Sequence, residues 1–158
     1  MKLKRDLLTC AYLRISYNQF SKLTPVIGSL SKLEALKADN NMIQALVPEV
    51  TSRVKLSMEK MRTWLLTFTP TPSTSQIGNL TRLKKLWLHK NKLLVLPPVI
   101  ANLIFCKDLR LSHNQIEVLP CEIGRMTALR QLKCPFNLLK VRGRVKISMK
   151  KQIELLLT

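Results

Sequence analysis

The sequence predicts an α/β solenoid of stacked repeats, and three observations point there. Asparagines stand at Asn18, Asn41, Asn91, Asn114 and Asn137, spaced by 23, 50, 23 and 23 residues. Apolar residues recur in one order around each of them. The chain is 46% hydrophobic but only 5% aromatic, so its core must be built from Leu, Ile and Val. A fixed period of about 20–50 residues is the mark of a repeat array, in which each unit buries its apolar face on its neighbours.

The units follow in order. The first reads Cys10, Leu13, Ile15, Asn18, Phe20, Leu23, Ile27 and Leu30. The second reads Leu33, Leu36, Ala38, Asn41, Ile43, Leu46 and Val50. The spacing of 50 residues fits one further, degenerate unit lengthened by four residues. In it Leu56, Met61, Leu66 and Pro70 fall in register and Trp64 takes the asparagine's place, while Glu59 stands where Leu is wanted. The extra residues fall near 71–76, a Pro- and Ser/Thr-rich stretch read as loop. Next come Leu83, Leu86, Leu88, Asn91, Leu93, Leu96, Pro97, Ile100 and Leu103, then Cys106, Leu109, Leu111, Asn114, Ile116, Leu119, Pro120, Ile123 and Met126. The last unit keeps Leu129, Leu132, Cys134, Asn137 and Leu139 and then loses the pattern. Leu-x-Leu alternates with period two, as a strand with one buried face should. An asparagine side chain has both donors and an acceptor for backbone groups in the following turn. The proline after Leu lacks an N–H and stops strand pairing.

These motifs resemble the leucine-rich-repeat family. The pattern L-x-x-L-x-L-x-x-N-x-L followed by L-P-x-x-I-G-x-L is nearly whole at Leu83–Leu103 and Cys106–Met126. The Ile-Gly-x-Leu ending at Ile27–Leu30, Ile77–Leu80 and, with Met, Ile123–Met126 is similar to the intracellular 23-residue subclass. That subclass includes Ras-pathway scaffolds, Scribble-type polarity scaffolds and plant intracellular Ras-group-related proteins. The resemblance implies a horseshoe with short parallel strands on its concave side, short helical turns on its convex side and an asparagine ladder. It implies protein binding rather than catalysis. The expected organisation is a lead-in over 1–9, a repeat domain of about six units over 10–141, and a basic capping helix over 142–158. Val145, Met149, Ile153 and Leu156 suit one face of that helix. An amphipathic helix that lies on a membrane or a partner is the alternative. Because the array begins inside a repeat without a cap, a truncated array with no independent activity is a further reading.

Candidate binding residues emerge when the strand positions are read in columns. Four residues before each ladder position stand Arg14, Lys37, Lys60, Trp87, Arg110 and Lys133. In register, with strands about 4.8 Å apart, this column forms a cationic stripe whose like charges repel. His89 and Lys90 lie beside Trp87, with His113 one unit on. Aromatic and basic groups gathered in this way are typical of interface hot spots.

The chain carries 27 Lys+Arg against 9 Asp+Glu, a formal charge of +18. Such an excess favours an acidic partner. The expected partner is an acidic protein surface, with nucleic acid or anionic lipid as the alternative. The tail residues Lys140, Arg142, Arg144, Lys146, Lys150 and Lys151 add to either. No cofactor, metal or small-molecule substrate is expected. Cys10, Cys106, Cys121 and Cys134 contain no Cys-x-x-Cys pair, and no acid or thiol matches His89 and His113 as a metal ligand. Catalysis has no motif behind it: no glycine-rich phosphate loop and no Gly-x-Ser-x-Gly elbow. Cys10, Cys106 and Cys134 take core positions, whereas Cys121 follows a Leu-Pro turn and is read as exposed. The opening residues lack a signal-peptide pattern. The expected setting is therefore cytoplasmic, or nuclear through the basic tail.

Overall fold

The computed structural model describes residues 9–46, 76–139 and 154–156. Short strands alternate with 3-10 turns: β1 (Tyr12–Arg14), η1 (Pro25–Ser29), β2 (Ala35–Lys37), η2 (Gln76–Asn79), β3 (Lys85–Trp87), η3 (Pro98–Asn102), β4 (Asp108–Arg110), η4 (Cys121–Arg125), β5 (Gln131–Lys133) and β6 (Glu154–Leu156). The strands form one open parallel sheet in the order β1-β2-β3-β4-β5-β6. The middle residue of each inner strand points into the core, and Leu36, Leu86, Leu109 and Leu132 are fully buried. Their neighbours on either side face away from it. This is an open α/β solenoid with its strands along one face. No helix among the described residues is long and apolar enough to cross a membrane.

The opposite side is built by proline and the Ile-x-x-Leu pair. Pro97 and Pro120 hold extended backbone at the entries to η3 and η4. In a 3-10 turn residues three apart lie on one side. Ile77 with Leu80, Ile100 with Leu103 and Ile123 with Met126 therefore enter the core together, all buried. The N–H of Leu103 and Met126 closes each turn onto the C=O of Ile100 and Ile123. Cys106 and Cys134 are buried among these residues, and burial pushes the Cys106 thiol up to about 12. Cys10 is half-buried and Cys121 exposed.

The asparagines form the ladder. Asn41, Asn91, Asn114 and Asn137 each accept, through Oδ1, the N–H of Phe20, Ile43, Leu93 and Ile116 in the preceding unit, at 2.9–3.1 Å. Each Nδ2 donates to carbonyls of its own turn and of the preceding one, as Asn91 does to Leu88 (3.1 Å) and Ala38 (3.0 Å). Among the described residues the Asn18 side chain, at the first rung, donates only within its own turn, and Asn18 is exposed. The residue before each asparagine is left-handed: Tyr17, Asn40, Lys90, His113 and Phe136 have φ between 53° and 58°. Such a conformation costs roughly 1–2 kcal/mol for a residue with a Cβ, and the flanking ladder bonds hold it.

Two expectations are corrected. No further strand stands between the second unit and the one carrying Asn91, where a degenerate unit was expected. β2 pairs directly with β3, with Lys37 opposite Trp87, and Ile43 N–H bonds Asn91 across 48 residues of sequence. The place expected for Lys60 is thus closed, and Lys60 itself, with 47–75, lies outside the described residues. The expected capping helix is also overturned where the chain is described, because Glu154–Leu156 is a strand paired with β5. Leu155 follows Leu132 by 23 residues, so the repeat period continues where a helical period was read. Extending the sheet satisfies the free edge of β5, which a helix leaves open. The remaining tail residues, the basic ones from Lys140 to Lys151 included, lie outside the described residues.

Stacking of the 3-10 turns yields a sharp test. A methyl group at Gly78 would meet the Val99 carbonyl oxygen at 3.0 Å and its Cβ at 3.2 Å, while at Gly124 it would meet nothing within 4 Å. Overpacking of this kind costs about 1–3 kcal/mol. Gly78→Ala should lower the thermal midpoint by several degrees and Gly124→Ala should leave it within about a degree. Equal midpoints for the two variants in a melting experiment would show that η2 and η3 do not pack as described.

Candidate binding face

The strand residues that point away from the core meet in register. Arg14 pairs with Lys37, Lys37 with Trp87, Trp87 with Arg110, and Arg110 with Lys133. The sheet thus brings together all the described members of the predicted column. Repulsion along it is relieved by one side chain. The Trp87 ring carries the Lys37 ammonium on one face, 4.0 Å from its centroid, and the Arg110 guanidinium on the other, 4.1 Å away. The negative faces of the indole attract both cations, and each such contact contributes about 0.5–1 kcal/mol at a partly exposed site. Asp108 locks the arrangement. Its Oδ2 accepts the Trp87 Nε1–H at 2.8 Å, and both oxygens accept Arg110 Nε–H at 3.2 Å. Trp87, predicted as one of the partner-binding residues, has a cation over each face and thereby spaces the charges of the column.

Lys85 was missed by the columnar reading, and Asp108, which lies near the column in the sequence, was not given its bonding role. They sit directly opposite each other in the first strand position. The signal was available, since residues two apart in a strand share a face, which sets Asp108 beside Arg110 and Lys85 beside Trp87.

Two positions beyond Trp87, His89 meets the buried Asp39 of the preceding unit. Ser16 Oγ–H donates to Asp39 Oδ1 at 2.7 Å and Asn40 Nδ2–H to Oδ2 at 2.9 Å. Burial pushes the Asp39 carboxyl up, but these bonds and the nearby His89 outweigh it, and the group lies below its ordinary value. His89 Nε2 is 3.7 Å from Asp39 Oδ2, beyond hydrogen-bond range and close enough to pair once protonated. Burial holds the His89 imidazole below its ordinary value. Asp39 works against that, while Arg110, Lys90 and His113 reinforce it. His89 Nδ1 is buried without a hydrogen-bond partner. At the rim, His113 stacks on the exposed Phe136, with ring centroids 4.3 Å apart and planes 12° from parallel. Among the described residues no three His, Cys, Asp or Glu side chains gather at a possible metal site.

A family model described as Leucine Rich Repeat matches residues 82–103. Among solved structures the chain is similar to a leucine-rich-repeat protein of Leptospira interrogans, with a TM-score of 0.68 and 25% identity. That match covers 92% of this chain and 30% of the other. It is also similar in fold to an internalin of Listeria monocytogenes, with a TM-score of 0.54, 19% identity, and coverage of 80% and 27%. The chain thus spans less than a third of the length of either structure. No curated protein matches the sequence. These findings support the leucine-rich-repeat family.

Two outcomes follow from this geometry. Trp87→Leu removes the spacer and should lower the thermal midpoint more at low ionic strength than in 0.5 M salt, because salt screens the charges left facing each other. An equal loss at both salt levels in paired melts would contradict the spacer role. His89 binds its proton more weakly folded than unfolded, so its contribution to stability is fully present above its unfolded value near 6.5. That contribution is lost as pH falls through the lower folded value. The midpoint should drop between pH 7.5 and 5.5, and His89→Gln should flatten that slope.

Proposed function

We propose that this chain is a non-catalytic protein-docking module whose concave face receives an acidic surface of a partner protein. One observation carries the reading: Arg14, Lys37, Arg110 and Lys133 stand in one register column, and the acids nearest it are already engaged. Asp108 is taken by Trp87 and Arg110, and Asp39 by Ser16 and Asn40. Arg14, Lys37 and Lys133, held in register without an ion pair among the described residues, attract an acidic partner and steer its approach. Lys90, His89 and His113 extend the same face. A scaffold role in intracellular signalling, in the manner of the 23-residue subclass, is the broader setting we propose. Binding of single-stranded nucleic acid would need open aromatic faces for its bases. Trp87, at the centre of the column, offers none.

A fluorescent glutamate-rich peptide titrated against the full chain tests this, with its glutamine counterpart and a single-stranded RNA as controls. The acidic peptide should bind at low salt and the glutamine peptide should not. Lys37→Glu with Lys133→Glu should weaken binding at least about tenfold, or about 1.4 kcal/mol. Reversing the exposed Lys32 and Lys107, outside the column, should cost far less. Equal losses from both pairs, or RNA bound more tightly than peptide, would overturn the reading.

A further inference from the structure

Outside the concave column, the residues just ahead of the strands form a second row of cations. The Lys84 N–H bonds the Glu34 carbonyl (2.7 Å), the Lys107 N–H the Lys84 carbonyl (2.8 Å) and the Arg130 N–H the Lys107 carbonyl (2.9 Å). Glu34, Lys84, Lys107 and Arg130 therefore stand in line, at the strand spacing of about 4.8 Å. Glu34 is paired with Lys84 at 2.9 Å, and among the described residues no ion pair reaches Lys107 or Arg130. Two residues before each member of the row, on the tight turn that follows each 3-10 turn, stand Lys32, Arg82, Phe105 and Ala128. Lys32, Arg82, Lys84, Lys107 and Arg130 are all exposed. The four tight turns read Ser31-Lys32, Thr81-Arg82, Ile104-Phe105 and Thr127-Ala128. Three of them do without a large apolar side chain, so the fold does not call for one there. Yet Ile104 and Phe105 are 47% and 54% exposed, while Leu103 and Cys106 on either side of them are buried. An exposed aliphatic and aromatic pair set among cations serves neither the core nor the sheet.

We propose that this flank is a docking surface for an anionic lipid bilayer. Lys32, Arg82, Lys107 and Arg130 meet the headgroups, and Ile104 and Phe105 enter the boundary between headgroups and acyl chains. Basic groups around a small apolar tip bind such a boundary through two contributions, attraction to acidic lipids and removal of apolar surface from water. The row suits a continuous anionic plane, because its cations follow one another over consecutive units. Nucleic acid carries the same phosphates, and its bases could stack on Phe105, but Ile104 has no π-face to offer them. A bilayer takes up both side chains. The inference is independent of the docking reading, since the flank shares no residue with the column of Arg14, Lys37, Arg110 and Lys133.

Co-sedimentation of the full chain with phosphatidylcholine vesicles, with and without phosphatidylserine, tests this. The chain should bind the vesicles that carry phosphatidylserine, leave pure phosphatidylcholine unbound, and lose most of its binding in about 0.5 M salt. Each cation at an anionic leaflet contributes about fivefold, so Lys107→Glu with Arg130→Glu should weaken binding at least about tenfold. Lys37→Glu with Lys133→Glu changes the net charge by the same amount and should cost less than about threefold, because those residues lie outside the flank. Ile104→Ser with Phe105→Ser should weaken binding about tenfold while leaving its salt dependence as it was. Phe105→Trp should add fluorescence that brominated lipid quenches beyond the wild-type level. All the substituted residues of the flank are exposed, and each variant is checked for a cooperative melt. Equal losses from the two charge-reversed pairs would show that net charge alone drives binding and would overturn the flank. So would wild-type binding by the Ile104→Ser, Phe105→Ser variant, an absence of added quenching, or RNA bound more tightly than the phosphatidylserine vesicles at the same salt.

Discussion

The asparagine ladder is the constraint on which the other features rest. Every unit of a solenoid turns sharply after a three-residue strand, and the turn leaves backbone groups facing inward. Asparagine meets both kinds at once, its oxygen accepting an N–H from the unit before and its nitrogen donating to carbonyls on both sides. A buried backbone group left without a partner costs about 1–3 kcal/mol, so each rung stabilises two units together. Nearest-neighbour coupling of this kind is what holds a repeat array as one body. The rung at Asn91 matters most. It joins units that lie 50 residues apart, alongside the β2–β3 pairing and the Lys84–Glu34 ion pair at 2.9 Å. That exposed ion pair contributes roughly 0–1 kcal/mol, so the buried rung and the leucines beneath it dominate the junction.

The ladder also makes the face. With each turn clamped, the preceding residue is held left-handed, so Tyr17, Lys90, His113 and Phe136 are presented at the rim in a conformation they would otherwise avoid. Clamped turns keep the strands in register, and register converts a periodic run of basic residues into a physical column. A column of like charges is tolerable because Trp87 separates two of them and Asp108 pins the set. The same geometry brings His89 beside the buried Asp39 of the unit before. The side chains that stabilise the column are thus also those that form its surface.

Much of the fold was legible because its determinants are strictly periodic. The spacing of 23 residues located the ladder, and Leu-x-Leu and Ile-Gly-x-Leu located the strands and turns. Arithmetic misled at the spacing of 50 residues, since it fits an extra stacked unit as well as a direct junction that bypasses the stretch between. Chemistry held the better clue: Trp64 lacks the acceptor a rung requires, and Glu59 would bring a charge to a buried place. At the other end, Val145, Met149, Ile153 and Leu156 suit a helix. Leu155 suits the next strand equally well, and pairing to the β5 edge decided for the strand. The column was legible from spacing. The roles of Trp87 and Asp108 were not, because they depend on which side chain lies over which across strands whose pairing the spacing misassigned.

The most direct measurement is amide hydrogen exchange at Ile43, whose N–H donates to Asn91 Oδ1 at 2.9 Å. If the two units stack directly, the Ile43 amide should be protected as strongly as those of Leu93 and Ile116, which bond the next two rungs. Asn91→Ala should abolish that protection while leaving Ile116 protected. An Ile43 amide that exchanges at the rate of an open loop in the wild-type chain, or that is indifferent to Asn91→Ala, would contradict the direct junction and the registered face built upon it.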